Sequence, residues 1–450
     1  MTREVVERYH ELLTDSLAAE ASEQMQAELL RRRCYFGSRP LCTVLRPNFL
    51  EPAQWAYLRH ETETLMGVFR KAHRAALRWP EVRAQLDLEA YEEALYPLDD
   101  RIDIPWATSR LDSFNDLEKG ILQYVEYNAE TPAGMAYDDQ IGEAFMQLEP
   151  MKRFEKQFQV RSFPTVRSLY ASLLETYHTW GGRGTPNIAI VDWGDVPTLN
   201  EHHLCRELFE AEGSPTLLAD PRALEYRHGH LWAGDFRIDL IYKRVLISEL
   251  VTRMGIDHNP VVQAVRDRVV CISNSFSAKL MAKKASFALL SDEVNHSLFD
   301  ETDIAAISAH IPWTRRVQER KTFFHGVEID LLPFIAEQRN NLVLKPNDEY
   351  GGKGVVIGWE ASDDLWHETM RAALTMPYVV QERANIYYED FPAWIDGSLH
   401  IDQRLVDSDP FIFFGRTTSG CMTRLSATTL LNVTAGGGSI VPTFIVYKRS

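Results

Sequence analysis

The chain is poor in cysteine. Cys34, Cys42, Cys205, Cys271 and Cys421 are the only five in 450 residues, with no CxxC pair among them. An odd number so widely spaced argues against a disulfide framework and for reduced thiols, the expectation for a cytoplasmic protein. Positive charge is also short: 48 Lys and Arg against 64 Asp and Glu leave a net charge of −16. That disfavours a general nucleic-acid or anionic-membrane surface and leaves room only for a local basic pocket. No apolar run approaches the ~18 residues of a membrane span, and "MTREVVERYHELLTDSL" has no apolar signal core. Also missing are a Gly-x-Ser-x-Gly elbow, an HExxH pair, a Walker-type Gly-Lys-Ser/Thr, internal repeats and low-complexity linkers. His202 and His203, and likewise His228 and His230, lack zinc-ligand spacing and read as solvated surface histidines.

What is present is an ordinary globular composition, 45 % apolar and 25 % charged, in a chain long enough for two or three packed units. Residues 1–100 read as mainly helical, with a short strand in "PLCTVLRPNFL". Residues 101–164 open with a strand pair and continue into a helix around "YDDQIGEAFMQL". Strand–helix alternation over 165–265, closing on a hairpin-like "HGHLWAGDFRIDLIYKRV", predicts a small α/β unit. Residues 266–450 mix helices and strands and carry two glycine clusters.

Two stretches carry the chemistry. In "LQYVEYNAETPAG" an apolar strand ends with Glu126, Asn128 and Glu130 at alternate positions, hence on one face. A strand tip reaching solvent would look the same; carboxylate and carboxamide oxygens together also suit magnesium. In "NNLVLKPNDEYGGKGVVIGW" a strand delivers Lys345, followed by Gly351, Gly352 and Gly354 and a second strand. A glycine hairpin lets backbone N–H groups lie over phosphates beside a lysine charge. Further on, "YVVQER" ends in Gln381 and Glu382, read as a strand edge able to meet an adenine. Lys283 and Lys284 stand upstream, and either alone would pass for a solvated charge.

Together "LKPNDEYGGKG", "VVQER" and "LMAKKASFALL" resemble the nucleotide-binding half of an ATP-grasp ligase. "SRLDSF" followed by "VEYNAE" resembles the Arg-x-Asp and Glu-x-Asn elements of glutathionylspermidine synthetase (its synthetase domain) and eukaryotic-type glutathione synthetase. In both families these elements precede the nucleotide loops, a circularly permuted order. The resemblance implies an α+β ATP-grasp fold, permuted, with an inserted small α/β substrate-binding domain at 165–265 and a helical N-terminal extension. It implies ATP and Mg2+ as cofactors, with Asp112, Glu126, Asn128 and Glu349 as metal ligands. Lys345 and one of Lys283 or Lys284 would hold phosphates, Gly351, Gly352 and Gly354 would cover them, and Gln381 and Glu382 would sit at the adenine. Arg110 would offset charge on the transferred phosphoryl group, and Arg424 would bind a substrate carboxylate. Ala435, Gly436, Gly437 and Gly438 are similar to a glycine-rich loop that closes over substrate. The activity implied is an ADP-forming carboxylate–amine ligase; a small-molecule kinase and a silent ATP-binding regulator are the alternatives. Expected partners are a small acid and an amine, without nucleic acid or membrane, and a homodimer stays open. The first hundred residues and the Asp-Glu-Tyr-Gly-Gly loop depart from the family pattern, which leaves the substrates unnamed.

Overall fold

The computed structural model describes residues 2–99, 101–349, 351–427 and 438–449. Its largest sheet runs in the order Asn48–Leu50, Gly438–Lys448, Thr417–Ser426, Ser398–Phe413, Thr108–Asp116, Ile121–Asn128. Phe158–Arg161 and Tyr387–Ile395 join it from the side, making eight strands. Chain ends meet inside this sheet, because Asn48–Leu50 pairs in parallel with Thr443 to Ile445. The first hundred residues are therefore built into the core rather than appended to it. The 27-residue helix Pro52–Arg78 packs Leu65, Met66, Phe69 and Ala72 against Leu111, Tyr124 and Tyr127. Its apolar residues recur at three- and four-residue spacing, which gives one continuous buried stripe.

The segment 165–265 forms a parallel sheet together with Cys271–Ser273, in the order Cys271–Ser273, Leu240–Lys243, Ile188–Val191, Thr216–Ala219. The helices Thr165–Trp180 and Leu199–Ala211 cover one face through Leu169 and Phe209 against Ile188 and Ile190. Ala189 and Val191 face the other way, onto Val262 and Leu250. The expected hairpin after it is a three-stranded antiparallel sheet, Leu224–Arg227, His230–Ala233 and Phe236–Ile238, with Leu240–Lys243 withdrawn into the parallel sheet. Asp239, between the last two, turns the chain by accepting from Asn187 N–H.

A third sheet is antiparallel, in the order Thr314–Arg316, Tyr378–Glu382, Leu342–Pro346, Val356–Ile357. Helices Leu331–Glu337 and Asp363–Ala372 bury one face through Leu342, Leu344, Val380 and Trp366. Strand alternation then leaves Lys345 and Gln381 on the opposite face, the one turned to the Glu126 hairpin. All five cysteines are buried and free. No helix among the described residues is long and apolar enough to cross a membrane.

Candidate active site

The hairpin Thr108–Asp116 and Ile121–Asn128 pairs Arg110 with Asn128 and Asp112 with Glu126. Directly opposed residues share a face, so these four side chains form one patch. The next strand pairs Phe411 with Arg110 and Ser408 with Ser113, an offset that puts Asp409 across from Asp112. One strand further, Asp407 pairs with Arg424. A row of charge thus crosses four strands on one face of the large sheet.

At its centre Asp112 is almost fully enclosed. Arg110 donates to both its oxygens at 2.7 and 3.0 Å, Arg424 at 2.8 Å and Asn128 at 2.9 Å. Burial opposes the Asp112 carboxylate, but the two guanidinium groups outweigh it and hold its pKa below the ordinary value. Asp407 also accepts from Arg424, at 3.1 Å from Nε. Asp409 lies 2.8 Å from Arg424 Nε but off the N–H direction, and among the described residues neither of its oxygens receives a hydrogen bond. Burial raises the Asp409 carboxyl well above its ordinary range, against the pull of Arg424. Asp407 and Asp409 were not among the expected site residues, although their Asp-x-Asp alternation in "DSDPF" was a visible signal.

Opposite this row stands the glycine-hairpin sheet. Lys284 Nζ lies 3.2 Å from Glu126 Oε1 and donates to Glu349 O at 2.6 Å. Lys345 Nζ donates to Gln381 Oε1 at 2.6 Å and to Val125 O at 3.1 Å, so it bridges the two sheets. Burial depresses the Lys345 ammonium to about 8. Gly351, Gly352 and Gly354 all have positive φ, between 64° and 75°. At Gly354 a side chain would also strike Pro346 at 2.9 Å, so glycine is required there twice over.

The two adjacent lysines separate sharply. Lys283 is buried and bonds Glu92 at 2.7 Å and Asp348 at 3.1 Å, a structural ion pair facing away from Glu126. Lys279, unremarked in the sequence, joins Asp348 at 2.6 Å and Glu130 at 2.7 Å. Glu130 lies past the end of the strand, and its carboxylate also accepts Ile247 N–H at 2.6 Å. It therefore belongs to this buried network and not to the Glu126–Asn128 face.

The turn after Asn128 is held from three sides. Arg110 donates to Ala133 O at 2.9 Å, Arg244 donates to Pro132 O, and Gly134 N–H donates to Glu201 at 2.7 Å. Glu201 and Arg244 come from the small α/β unit and were missed in the sequence, where nothing but distant chain pairing brings them near.

Other expectations need correcting. Tyr378–Glu382 is an interior strand, not an edge, and Glu382 N–H is already donated to Trp313 O at 2.8 Å. Gln381 is spent on Lys345 and on Thr314 (3.0 Å), and the Glu382 carboxylate meets His325 at 3.0 Å. His202 is buried, not solvated; it faces Asp192 at 3.5 Å, and burial lowers its pKa to about 3. Ala435, Gly436 and Gly437 lie outside the described residues, while Gly438 begins the strand Gly438–Lys448.

The donors fit a magnesium ion in a particular way. Among the described residues no three His, Cys, Asp or Glu side chains gather as a metal cage. Glu126, with 36 % of its side chain exposed, and half-buried Asn128 offer two oxygen donors, and magnesium completes such sets with water and phosphate. Asp112 is committed to its arginines, and the Glu349 carboxylate to Lys353 at 3.1 Å.

No protein-family model matches the chain. Over 270 residues it is 24 % identical to a Frankia casuarinae protein named "Putative glutamate--cysteine ligase 2-2", covering 57 % of this chain and 29 % of that one. Over 269 residues it is 23 % identical to the Frankia alni "Putative glutamate--cysteine ligase 2-3", with the same coverage. The chain thus spans under a third of the length of these curated relatives. Its likeness to a solved structure runs nearly end to end. The glutathione synthetase-like effector GSS30 of Globodera pallida, in its apo form, superposes with a TM-score of 0.60 at 12 % identity. That match covers 96 % of this chain and 98 % of the effector. The fold is glutathione synthetase-like.

Proposed function

We propose that the protein is an ATP-dependent carboxylate–amine ligase of the ATP-grasp type, in permuted order, forming ADP, phosphate and an amide. One observation carries this reading: Lys284 and Lys345 of the glycine-hairpin sheet stand directly against Glu126, at 3.2 Å, and the Val125 carbonyl of the hairpin, at 3.1 Å. Two lysines beside oxygen donors for a hard cation are the groups that a nucleotide's phosphates and magnesium use, and a triphosphate entering here would exchange these direct contacts for its own. The glutathione synthetase-like fold and the ligase names of the relatives support the same class.

In this reading Lys345 and Lys284 hold the phosphates under Gly351, Gly352 and Gly354. Glu126 and Asn128 would hold magnesium, which neutralises charge on the phosphates, with Glu349 alongside. Glu382 and His325 flank the nucleoside end. Arg110 and Arg424 turn to the reacting groups, and Asp112 keeps both guanidiniums aligned when no anion is present. A substrate carboxylate oxygen attacks the γ-phosphorus and ADP leaves. An amine nitrogen then attacks the acyl carbon, phosphate leaves, and the amine gives up a proton. A peptide-like acid of the glutamyl kind and an amine of the cysteine or polyamine kind are the substrates we would try first.

The test is ADP release by the full chain with ATP, magnesium and paired panels of acids and amines, with product masses measured. Release that needs both partners, with a product lighter by one water than their sum, supports the ligase. A phosphorylated product formed without an amine would replace it with a kinase, and failure to bind ATP would remove both.

A further inference from the structure

A cavity of about 460 Å³ opens beside the helix Met135–Gln147, between the start of Thr165–Trp180 and the strand Gly438–Lys448. Its size falls in the range of small-molecule pockets, about 300–1,000 Å³. Asp138 stands in its wall. This residue is only 4 % exposed, yet among the described residues nothing donates a hydrogen bond to its carboxyl, and Oδ1 is fully enclosed.

The charged neighbours are already occupied. Asp139, next on the same helix, accepts the N–H groups of Thr165 and Val166, both at 2.9 Å. Arg32 bonds Gln140 at 3.0 Å and also Glu143, and Arg167 bonds Glu212 at 2.9 Å. What the cavity offers a visitor is therefore one unspent carboxyl beside the apolar surfaces of Met146, Phe163 and Phe444. An anion would meet Asp138 and Asp139, with Arg32 paired to Glu143 and Arg167 to Glu212. A purely apolar visitor would leave a buried carboxyl without a donor, which is unfavourable. An ammonium group on a short alkyl chain satisfies both surfaces.

We propose that this cavity binds a small primary amine as its ammonium ion, anchored by Asp138. The site is separate from the nucleotide cleft and does not depend on the ligase reading. In the empty cavity burial, with Asp139 nearby, raises the Asp138 carboxyl well above its usual range. Asp139 is the charge that acts on it, the buried Cys421 thiol of the strand Thr417–Ser426 is the other titratable group facing it, and Glu143, Arg32 and Arg167 line the same cavity. An arriving ammonium favours the carboxylate, so binding should expel the carboxyl proton.

The experiment is calorimetry on the full chain at neutral pH without ATP, using n-butylamine, n-butanol and butyrate, in two buffers of different ionisation enthalpy. We expect saturable binding of n-butylamine alone, accompanied by proton release. Asp138→Asn should weaken binding by at least about tenfold and abolish proton release, while Val294→Ala, at an exposed side chain outside the cavity, binds as the parent does. Equal binding of n-butanol, or undiminished binding by Asp138→Asn, would each overturn the proposal. The comparison of n-butylamine with n-butanol on the parent protein decides the matter even if the asparagine variant does not fold.

Discussion

Replacing Lys345 with methionine separates the cost of its charge from its use. Burial lowers this ammonium from the ordinary 10.5 to about 8. At about 1.4 kcal/mol per tenfold change, that depression corresponds to roughly 3.4 kcal/mol at full burial. Lys345 is only half-buried at the cleft, so roughly 2 kcal/mol is the figure to expect. The sign follows from proton binding. The folded chain sheds this proton before the unfolded one, so the penalty is complete below pH 8 and is relieved as pH rises towards 10.5. Lys345→Met removes the penalty but strips a donor from Gln381 Oε1 and Val125 O, at about 1 kcal/mol each. At neutral pH the two effects nearly cancel, and stability should stay within about 1 kcal/mol of the parent. Near pH 10 the parent should have gained about 2 kcal/mol that the variant lacks. Lys243, also held at about 8 by burial, titrates in the same window and cancels in the comparison. Urea unfolding of both proteins at the two pH values provides the measurement, with nucleotide affinity measured alongside. Parallel stability profiles, or a variant that binds ATP as tightly as the parent, would refute the reasoning.

Glu126→Ala and Asn128→Ala should each abolish ADP formation while moving stability by no more than about 1 kcal/mol, read by thermal unfolding beside turnover. Asp112→Asn should cost about 3–5 kcal/mol in urea unfolding because it leaves Arg110 and Arg424 short of a buried counter-charge. Asp409→Asn, at a carboxyl that burial already pushes towards its protonated form, should cost less than Asp112→Asn in the same assay. Lys283→Met should destabilise by about 3 kcal/mol, since Glu92 keeps no comparable partner. Lys284→Met should instead weaken nucleotide binding with little change in unfolding. Reversal of that pair would return the phosphate role to Lys283.

Local spacing within one strand or loop was enough to read part of this molecule. The face shared by Glu126 and Asn128 follows from the two-residue period of a strand, and the glycine hairpin after Lys345 from backbone conformations that side chains disfavour. The helical texture of Pro52–Arg78 and the alternation across residues 165–265 are likewise properties of short windows. What lay beyond reach was set by pairing between distant strands. Lys283 and Lys284 are adjacent, and only the packing of Glu92 against one and Glu126 against the other tells them apart. Asp407 and Asp409 look like an exposed strand until the register with Thr108–Asp116 sets them beside Asp112 and Arg424. Tyr378–Glu382 ends like an edge strand, yet Thr314–Arg316 pairs along its other side. The sequence by itself determined which chemical groups the cleft could contain, because backbone period and residue type are local. Tertiary structure alone decided which of them face one another and which are spent on each other, because cross-strand register and burial arise only when remote segments meet.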